Sequence, residues 1–304
     1  MDRQPVRPLT ALYDPTAPLT ASGNLRRRRA VSRLAQSGAV ASAVLAVGVL
    51  GVVVGSVAQR GAGVIGIDFL TKAPPLFGGP GGGIAPAIVG TAVIVAVATA
   101  IAMPIGVLVA IYLAEFASPR AARPVRLALD LLNGLPSVVV GLFVFGLLVA
   151  GHKQSGFAGA LALAIIMLPL IARATQEMLL LVPRQLREAA DALGVSRWRT
   201  VVGVVLPSAL GGIVTGTVLA VARAAGETAP LVFTCSIFAN QTTVDVFGTA
   251  VPNIPVMIFK LSEAADPSGF ARAWGAALVL LVFILLTNIS ARALLARSRR
   301  KLTR

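Results

Sequence analysis

Two arginines, Arg173 and Arg223, stand inside long uncharged runs, and each has a glutamate four residues later, Glu177 and Glu227. An arginine deep in an apolar helix costs at least a few kcal/mol, so it is expected to face protein, water or a counter-ion. A four-residue step puts each pair on one helix face, where the two charges can meet. The same guanidinium suits a dianionic oxyanion, because its planar fork donates two parallel hydrogen bonds and stays charged at any working pH. A glutamate competing for that fork would keep the anion from being held too tightly. Two readings stand for each pair. One is mutual neutralisation, with Arg173 snorkelling to a surface; the other is a place on an anion path, with Arg223, Glu227 and Arg173 as its residues.

Other chemistry has few carriers. A single cysteine, Cys235, excludes a disulfide within the chain and a cysteine metal cluster. The one histidine, His152, falls in a short loop and reads as a solvated residue. The glycine run Gly78-Gly79-Pro80-Gly81-Gly82-Gly83 lacks the following Lys-Ser or Lys-Thr and the preceding strand of a phosphate cradle. The segment from Gly146 to Lys153 misses that pattern too, since His152 intervenes. No nucleotide site, cofactor site or catalytic cluster is therefore expected in this chain.

A polar segment from Val182 to Pro207, VPRQLREAADALGVSRWRTVVGVVLP, reads as helix, turn, helix. Pro183 suits a first helical turn and Gly194 the left-handed residue after a helix end. Ser196 is placed to cap the second helix through its hydroxyl, and Pro207 marks where that helix meets the membrane. Leu186, Ala189, Ala190 and Leu193 fall on one side of the first helix at three- and four-residue steps. Arg184, Arg187, Glu188 and Asp191 supply the charged side. A helix this short is not stable alone in water, so it is expected to lean on a partner surface.

The elements that must position these residues follow from composition. Hydrophobic residues make up 56% of the chain and charged residues 13%, with a mean hydropathy of +0.85. A soluble domain carries roughly a quarter charged residues. Six uncharged runs separate the charge clusters: Leu34–Gln59, the apolar part of Ile84–Ala114, Leu131–Gly151, Gln154–Ala172, Thr200–Ala222 and Ala273–Ala291. Each holds about 20 residues, which at about 1.5 Å per residue spans the roughly 30 Å hydrocarbon core. The expected fold is all-α and integral to the membrane, with about six crossings. Residues 1–33 read as a basic, disordered cytoplasmic tail, 34–59 as the first crossing and 60–83 as an outer loop. A core follows over 84–296, and 297–304 is a basic cytoplasmic end.

The net charge of +15 raises nucleic acid as a partner, but its distribution points to the bilayer instead. With the amino terminus inside, twenty of the 27 lysines and arginines fall in inner segments and five in outer loops. That asymmetry places both ends in the cytoplasm.

The loop also carries a resemblance. Glu188-Ala189-Ala190, then Gly194, Val204 and Leu206-Pro207 at their spacings resemble the EAA loop of binding-protein-dependent ABC importer permeases. The likeness continues through GGIAPAIVGT (82–91), IAMPIGVLVAIYLAEFA (101–117), NGLPSVVVGLF (133–143), LPLIARATQEML (168–179) and ARAAGETAPLVFT (222–234). These stretches resemble phosphate permeases of the PstA/PstC type, and Gly-Glu-Thr-Ala-Pro favours the PstA half. The resemblance implies a type I ABC importer permease fold in a bacterial plasma membrane. It implies a second permease subunit of the PstC type, a cytoplasmic ATPase dimer that binds ATP, and an extracytoplasmic phosphate-binding protein. Within the loop it implies docking on the ATPase by Leu186, Ala189, Ala190 and Leu193, a charged contact by Glu188, and a reorienting turn at Gly194. Sulfate and molybdate permeases share the loop, so another oxyanion is the alternative cargo. A secondary transporter is a weaker alternative, because no relay of buried acids or histidines is present.

Overall fold

The computed structural model describes residues 25–75, 79, 81–237, 241–263 and 266–302, and every regular element among them is helical. The chain divides into two units, residues 1–55 and 56–304. The first unit is described from Leu25, where α1 (Leu25–Gly61) begins. The expected start was Leu34. Leu25 to Arg33 are mostly good helix formers without Gly or Pro, so the helix extends back through the basic cluster. Residues 25–33 are thus helical rather than part of a disordered tail, and the rest of that tail, 1–24, lies outside the described residues.

The second unit begins in the last turns of α1. Arg60 lies over the Trp274 ring at 4.9 Å, and a Cβ at Gly61 would meet the Trp274 carbonyl at 2.6 Å. A short helix, α2 (Ile67–Thr71), follows, and then α3 (Ala85–Ile111) with Pro86 in its first turn. Next come α4 (Pro119–Gly134) and α5 (Ser137–Val144), continued by a π-helical turn over Phe145–Val149. Then come α6 (Gly156–Leu180), α7 (Arg184–Ala192), α8 (Arg197–Thr200) and α9 (Leu206–Ala225). The chain closes with α10 (Ala229–Thr234), α11 (Ile254–Glu263) and α12 (Pro267–Leu302).

Five helices among the described residues are long and apolar enough to cross a membrane, and a bent pair gives a sixth when its two helices are counted as one span. The bent pair corrects the third expected crossing, Leu131–Gly151. Pro136 stops the helix after Gly134, and Ser137–Val149 leaves at 100° to α4. The 8 residues of α5 and the 5 of its π-turn alone reach only about 20 Å, so the sixth span is complete only when α4 is counted with them. α4 is instead amphipathic: Ala122 and Leu129 are buried, whereas Arg120, Arg123 and Arg126 are exposed.

α3 packs along α6, α6 along α9, and α9 along α12. Small residues bring these helices close, as membrane helix packing requires. A Cβ at Gly216 would sit 2.5 Å from Ala174 Cβ, and one at Gly212 would overlap Met178. Ile94, Ala98, Leu163, Met167, Ala220 and Ala224 fill the centre. The short helices α10 and α11 have no counterpart among the six predicted runs, because neither holds enough apolar length to register as one. α10 lies against α5, where a Cβ at Gly141 would come within 2.6 Å of Pro230 Cα. On the other side, Asp266 closes the start of α12. Its carboxylate accepts from the Ser268 hydroxyl at 2.6 Å and from the amides of Ser268 and Gly269, both at 3.1 Å. Those bonds, the Ser268 hydroxyl first, hold the Asp266 carboxyl below its ordinary range. The buried Arg272 donates to the carbonyls of Gly79 and Gly81, at 2.6 and 3.0 Å, and so ties this end to the glycine loop.

Candidate functional site: a coupling surface and two arginine–carboxylate pairs

The helix–turn–helix expected at 182–207 forms. Pro183 precedes α7 as its cap residue rather than lying in its first turn. At the other end Gly194 takes φ +71°. The Gly194 amide bonds to Asp191 O at 2.9 Å and the Val195 amide to Ala190 O at 3.0 Å. That pair of bonds is the Schellman closure, and it needs a left-handed residue at position 194. Ser196 stands before α8, but its hydroxyl makes no capping bond. α8 is a single turn that passes directly into a π-helical stretch, Val201–Val205.

α7 is fastened by a side chain that sequence reasoning placed only on its charged face. Arg187 Nη2 and Nε donate to Glu115 Oε1 at 2.6 and 3.2 Å, with Nε also 3.3 Å from Oε2. Its remaining donors reach the carbonyls of Val182 at 2.7 Å and Leu179 at 2.9 Å. One guanidinium therefore joins α7, the carbonyl end of α6 and the π-helical turn Tyr112–Phe116 that ends α3. Glu115 is 4% exposed, so the pair is desolvated on the carboxylate side. No local signal announced this contact, since the two residues are 72 positions apart. Arg197 lies 5.7 Å over the Phe116 ring, and Trp198 packs 6.2 Å from the same ring.

The outward face of α7 is uneven. Leu186 is 42% exposed and Leu193 82%, and Glu188 and Ala189 are exposed as well. Ala190 turns inward at 8% exposure. Beside this face a cavity of about 350 Å³ is lined by Glu115, Arg184, Arg187, Glu188 and Arg197. An exposed leucine pair next to a charged notch can receive another protein surface.

The two membrane arginines are placed differently from one another. Arg223 lies in the last turn of α9, and the helix stops at Ala225, so Glu227 sits in the following turn rather than on the same helix. The two still form an ion pair, Nε to Oε1 3.8 Å. The Arg223 side chain is 60% exposed and Glu227 19%, which leaves the guanidinium fork open. Arg173 does not pair with Glu177. Its guanidinium meets Asp130 of α4. The reason is packing: Leu129 and Ala172 belong to one buried cluster, which brings their chain neighbours Asp130 and Arg173 together. Among the described residues no group of histidine, cysteine and carboxylates has metal-site geometry.

Comparison with known proteins identifies the family. Residues 102–300 match the family described as "Binding-protein-dependent transport system inner membrane component". The chain is 41% identical over 225 residues to "Phosphate transport system permease protein PstA 1" of Mycobacterium tuberculosis (strain ATCC 25618 / H37Rv), covering 73% of each chain. It is 38% identical over 286 residues to "Phosphate transport system permease protein PstA" of Xylella fastidiosa (strain Temecula1 / ATCC 700964), covering 92% of this chain and 98% of that one. The fold is similar to a solved structure of the MetNI methionine ABC transporter in an inward-facing conformation. The TM-score is 0.55 at 17% identity, over 71% of this chain and 95% of that one. The chain belongs to the family of binding-protein-dependent transport system inner membrane components, and it is a multi-pass permease of that kind.

Proposed function

We propose that this chain is one permease half of an ATP-driven importer that carries inorganic phosphate into the cytoplasm. The observation that carries the cargo is sequence kinship, over as much as 92% of the chain, with proteins named phosphate permeases. Its partners are a second permease subunit of the PstC type, a cytoplasmic ATPase dimer and an extracytoplasmic phosphate-binding protein. ATP binds the ATPase, and this chain needs no cofactor and performs no catalysis.

α7 docks on the ATPase through Leu186, Ala189 and Leu193, and Glu188 makes the charged contact. Ala190 serves by letting α7 lie close to its own chain, and Gly194 turns the backbone toward α8. Motion imposed on α7 passes through Arg187 and Glu115 to α3 and through Leu179 to α6, because a bidentate charged contact does not slip. Arg223 offers the anion its open fork and Glu227 competes for it. Arg173 serves the same path, and both chain ends face the cytoplasm. Lipid surrounds the spans; nucleic acid has no part.

Uptake of radiolabelled phosphate tests this reading, in cells stripped of their own phosphate import and supplied with the complete complex. Expression should restore uptake, and excess sulfate or molybdate should not compete. Competition by either oxyanion at comparable concentration would transfer the cargo to it.

A further inference from the structure

The two arginine–carboxylate pairs stand at different depths when both are measured from the coupling loop. Arg173 precedes Leu179, the α6 residue whose carbonyl Arg187 holds, by six positions, which is about 9 Å of helix. Arg223 follows Leu206, the start of α9, by 17 positions, or about 25 Å. One pair is therefore near the coupling loop and the other far from it. The near pair is also open, with Arg173 46% and Asp130 51% exposed, against 4% for the structural carboxylate Glu115. So exposed a pair contributes little to stability, which leaves its charges available to a passing anion.

Asp130 is not free to move alone. It rides on α4, whose first residue, Pro119, follows the Tyr112–Phe116 turn after only Ala117 and Ser118. The Ser118 hydroxyl accepts the Ala121 amide at 3.3 Å and fixes that entry. Glu115 in the turn is held by Arg187 of α7 at 2.6 Å. A charged and covalent connection thus runs from the coupling helix through Glu115 and α4 to Asp130, and ends on Arg173.

We propose that Asp130 is a release residue: it competes with the transported anion for Arg173 and is brought onto it by the coupling helix. Asp130 is a positioning residue and touches the guanidinium, not the cargo. The inference rests on the reading that the cargo is phosphate and that Arg173 lies on its path. When α7 is drawn outward, α4 carries Asp130 away and Arg173 can donate two bonds to the anion. When α7 returns, the carboxylate reclaims the fork and the anion leaves.

The test uses the assembled complex in proteoliposomes, with radiolabelled phosphate and every rate normalised to complex present. Asp130→Asn should slow uptake roughly fivefold, the upper end for an exposed charge pair, and the washed complex should retain label that the parent releases. Asp130→Glu should behave as the parent. Adding Arg173→Gln to Asp130→Asn should abolish the retention. Should Asp130→Asn fail to assemble, Asp130→Ser carries the same comparison. Slow uptake without retained label, retention that survives Arg173→Gln, or full uptake by the charge-swapped pair Asp130→Arg with Arg173→Asp would each overturn the proposal. A parent complex that takes up no phosphate would instead defeat the cargo reading, and full uptake by Arg173→Gln alone would remove Arg173 from the path.

Discussion

Arg187 on α7 donates through Nε and Nη2 to the carboxylate of Glu115 at the end of α3, 72 residues away in sequence. Its Nη1 and Nη2 also hold the carbonyls of Val182 and Leu179 at the end of α6. Both transmembrane helices therefore answer to one side chain, which is what a transmitted movement requires.

Breaking that contact should separate ATP hydrolysis from uptake in the proposed complex. Arg187→Gln leaves Glu115 buried without its cation, a loss of about 3–5 kcal/mol for a buried pair broken on one side. ATP hydrolysis by the partner should continue while phosphate uptake collapses, and thermal unfolding should shift down. The double variant Arg187→Gln with Glu115→Gln should recover stability more than transport. Normal coupled uptake in Arg187→Gln would show that force reaches the helices by another route.

Gly194 gives a graded series. A Cβ there meets nothing within 4 Å, so the penalty for Ala is that of the backbone alone at φ +71°. Gly194→Ala should cost roughly 1–2 kcal/mol and weaken uptake. Gly194→Pro removes the amide that bonds Asp191 O and forces φ to about −65°, so uptake should vanish. Membrane insertion, followed by protease protection of the spans, should be normal in both. Full uptake in the proline variant would release the loop from its coupling role.

Arg223 and Glu227 admit a cycle. If Arg223 only neutralises Glu227, then Arg223→Gln with Glu227→Gln should transport nearly as the parent while each single variant fails. If the open fork binds the anion, the double variant assembles and transports poorly, because no charged donor remains. We expect poor transport, read as uptake per assembled complex. Recovery in the double variant would assign the pair to structure.

Topology has a direct measurement. Single cysteines at residues 10 and 300 should resist an impermeant thiol reagent in intact cells and react after permeabilisation. The native thiol does not interfere, since Cys235 is buried. Labelling of either position from outside would reverse the assignment of the ends.

The cap on α12 has a defined pH response. The Asp266 carboxyl is held below its ordinary range by the Ser268 hydroxyl and by backbone amides. A lowered folded pKa means the contribution is complete above the unfolded value of about 3.9 and disappears as pH falls through the folded one. Protection of the Gly269 amide in hydrogen exchange should hold from neutral pH to about 5 and fail only below the ordinary aspartate range. Asp266→Asn should remove that transition. Loss of protection already near pH 6 would mean another group controls the cap.

Hydropathy alone located the five long apolar helices, because apolar length is a property of contiguous residues and the bilayer sets the length needed. The turn at Gly194 was equally legible, since only glycine takes that backbone angle without strain. The positions of Arg173 and Arg223 within apolar runs were visible for the same local reason. Their partners divided. Glu227 stays close enough to Arg223 to pair even though α9 ends between them, whereas Glu177 loses Arg173 to Asp130. A four-residue rule compares residues along one helix and takes no account of a carboxylate delivered by another. The packing of Leu129 on Ala172 decided that contest. The packing of α3, α6 and α7 likewise decided the Arg187–Glu115 bond, the inward turn of Ala190 and the notch beside it. The 100° break before Ser137 shortened a run that hydropathy read as one crossing, because apolar composition is indifferent to direction. Sequence therefore determined where apolar length and charge lie and which of the long segments are helical. Only the azimuth and depth at which those helices meet determined which charges touch, because a side chain's partner depends on the faces brought together in space.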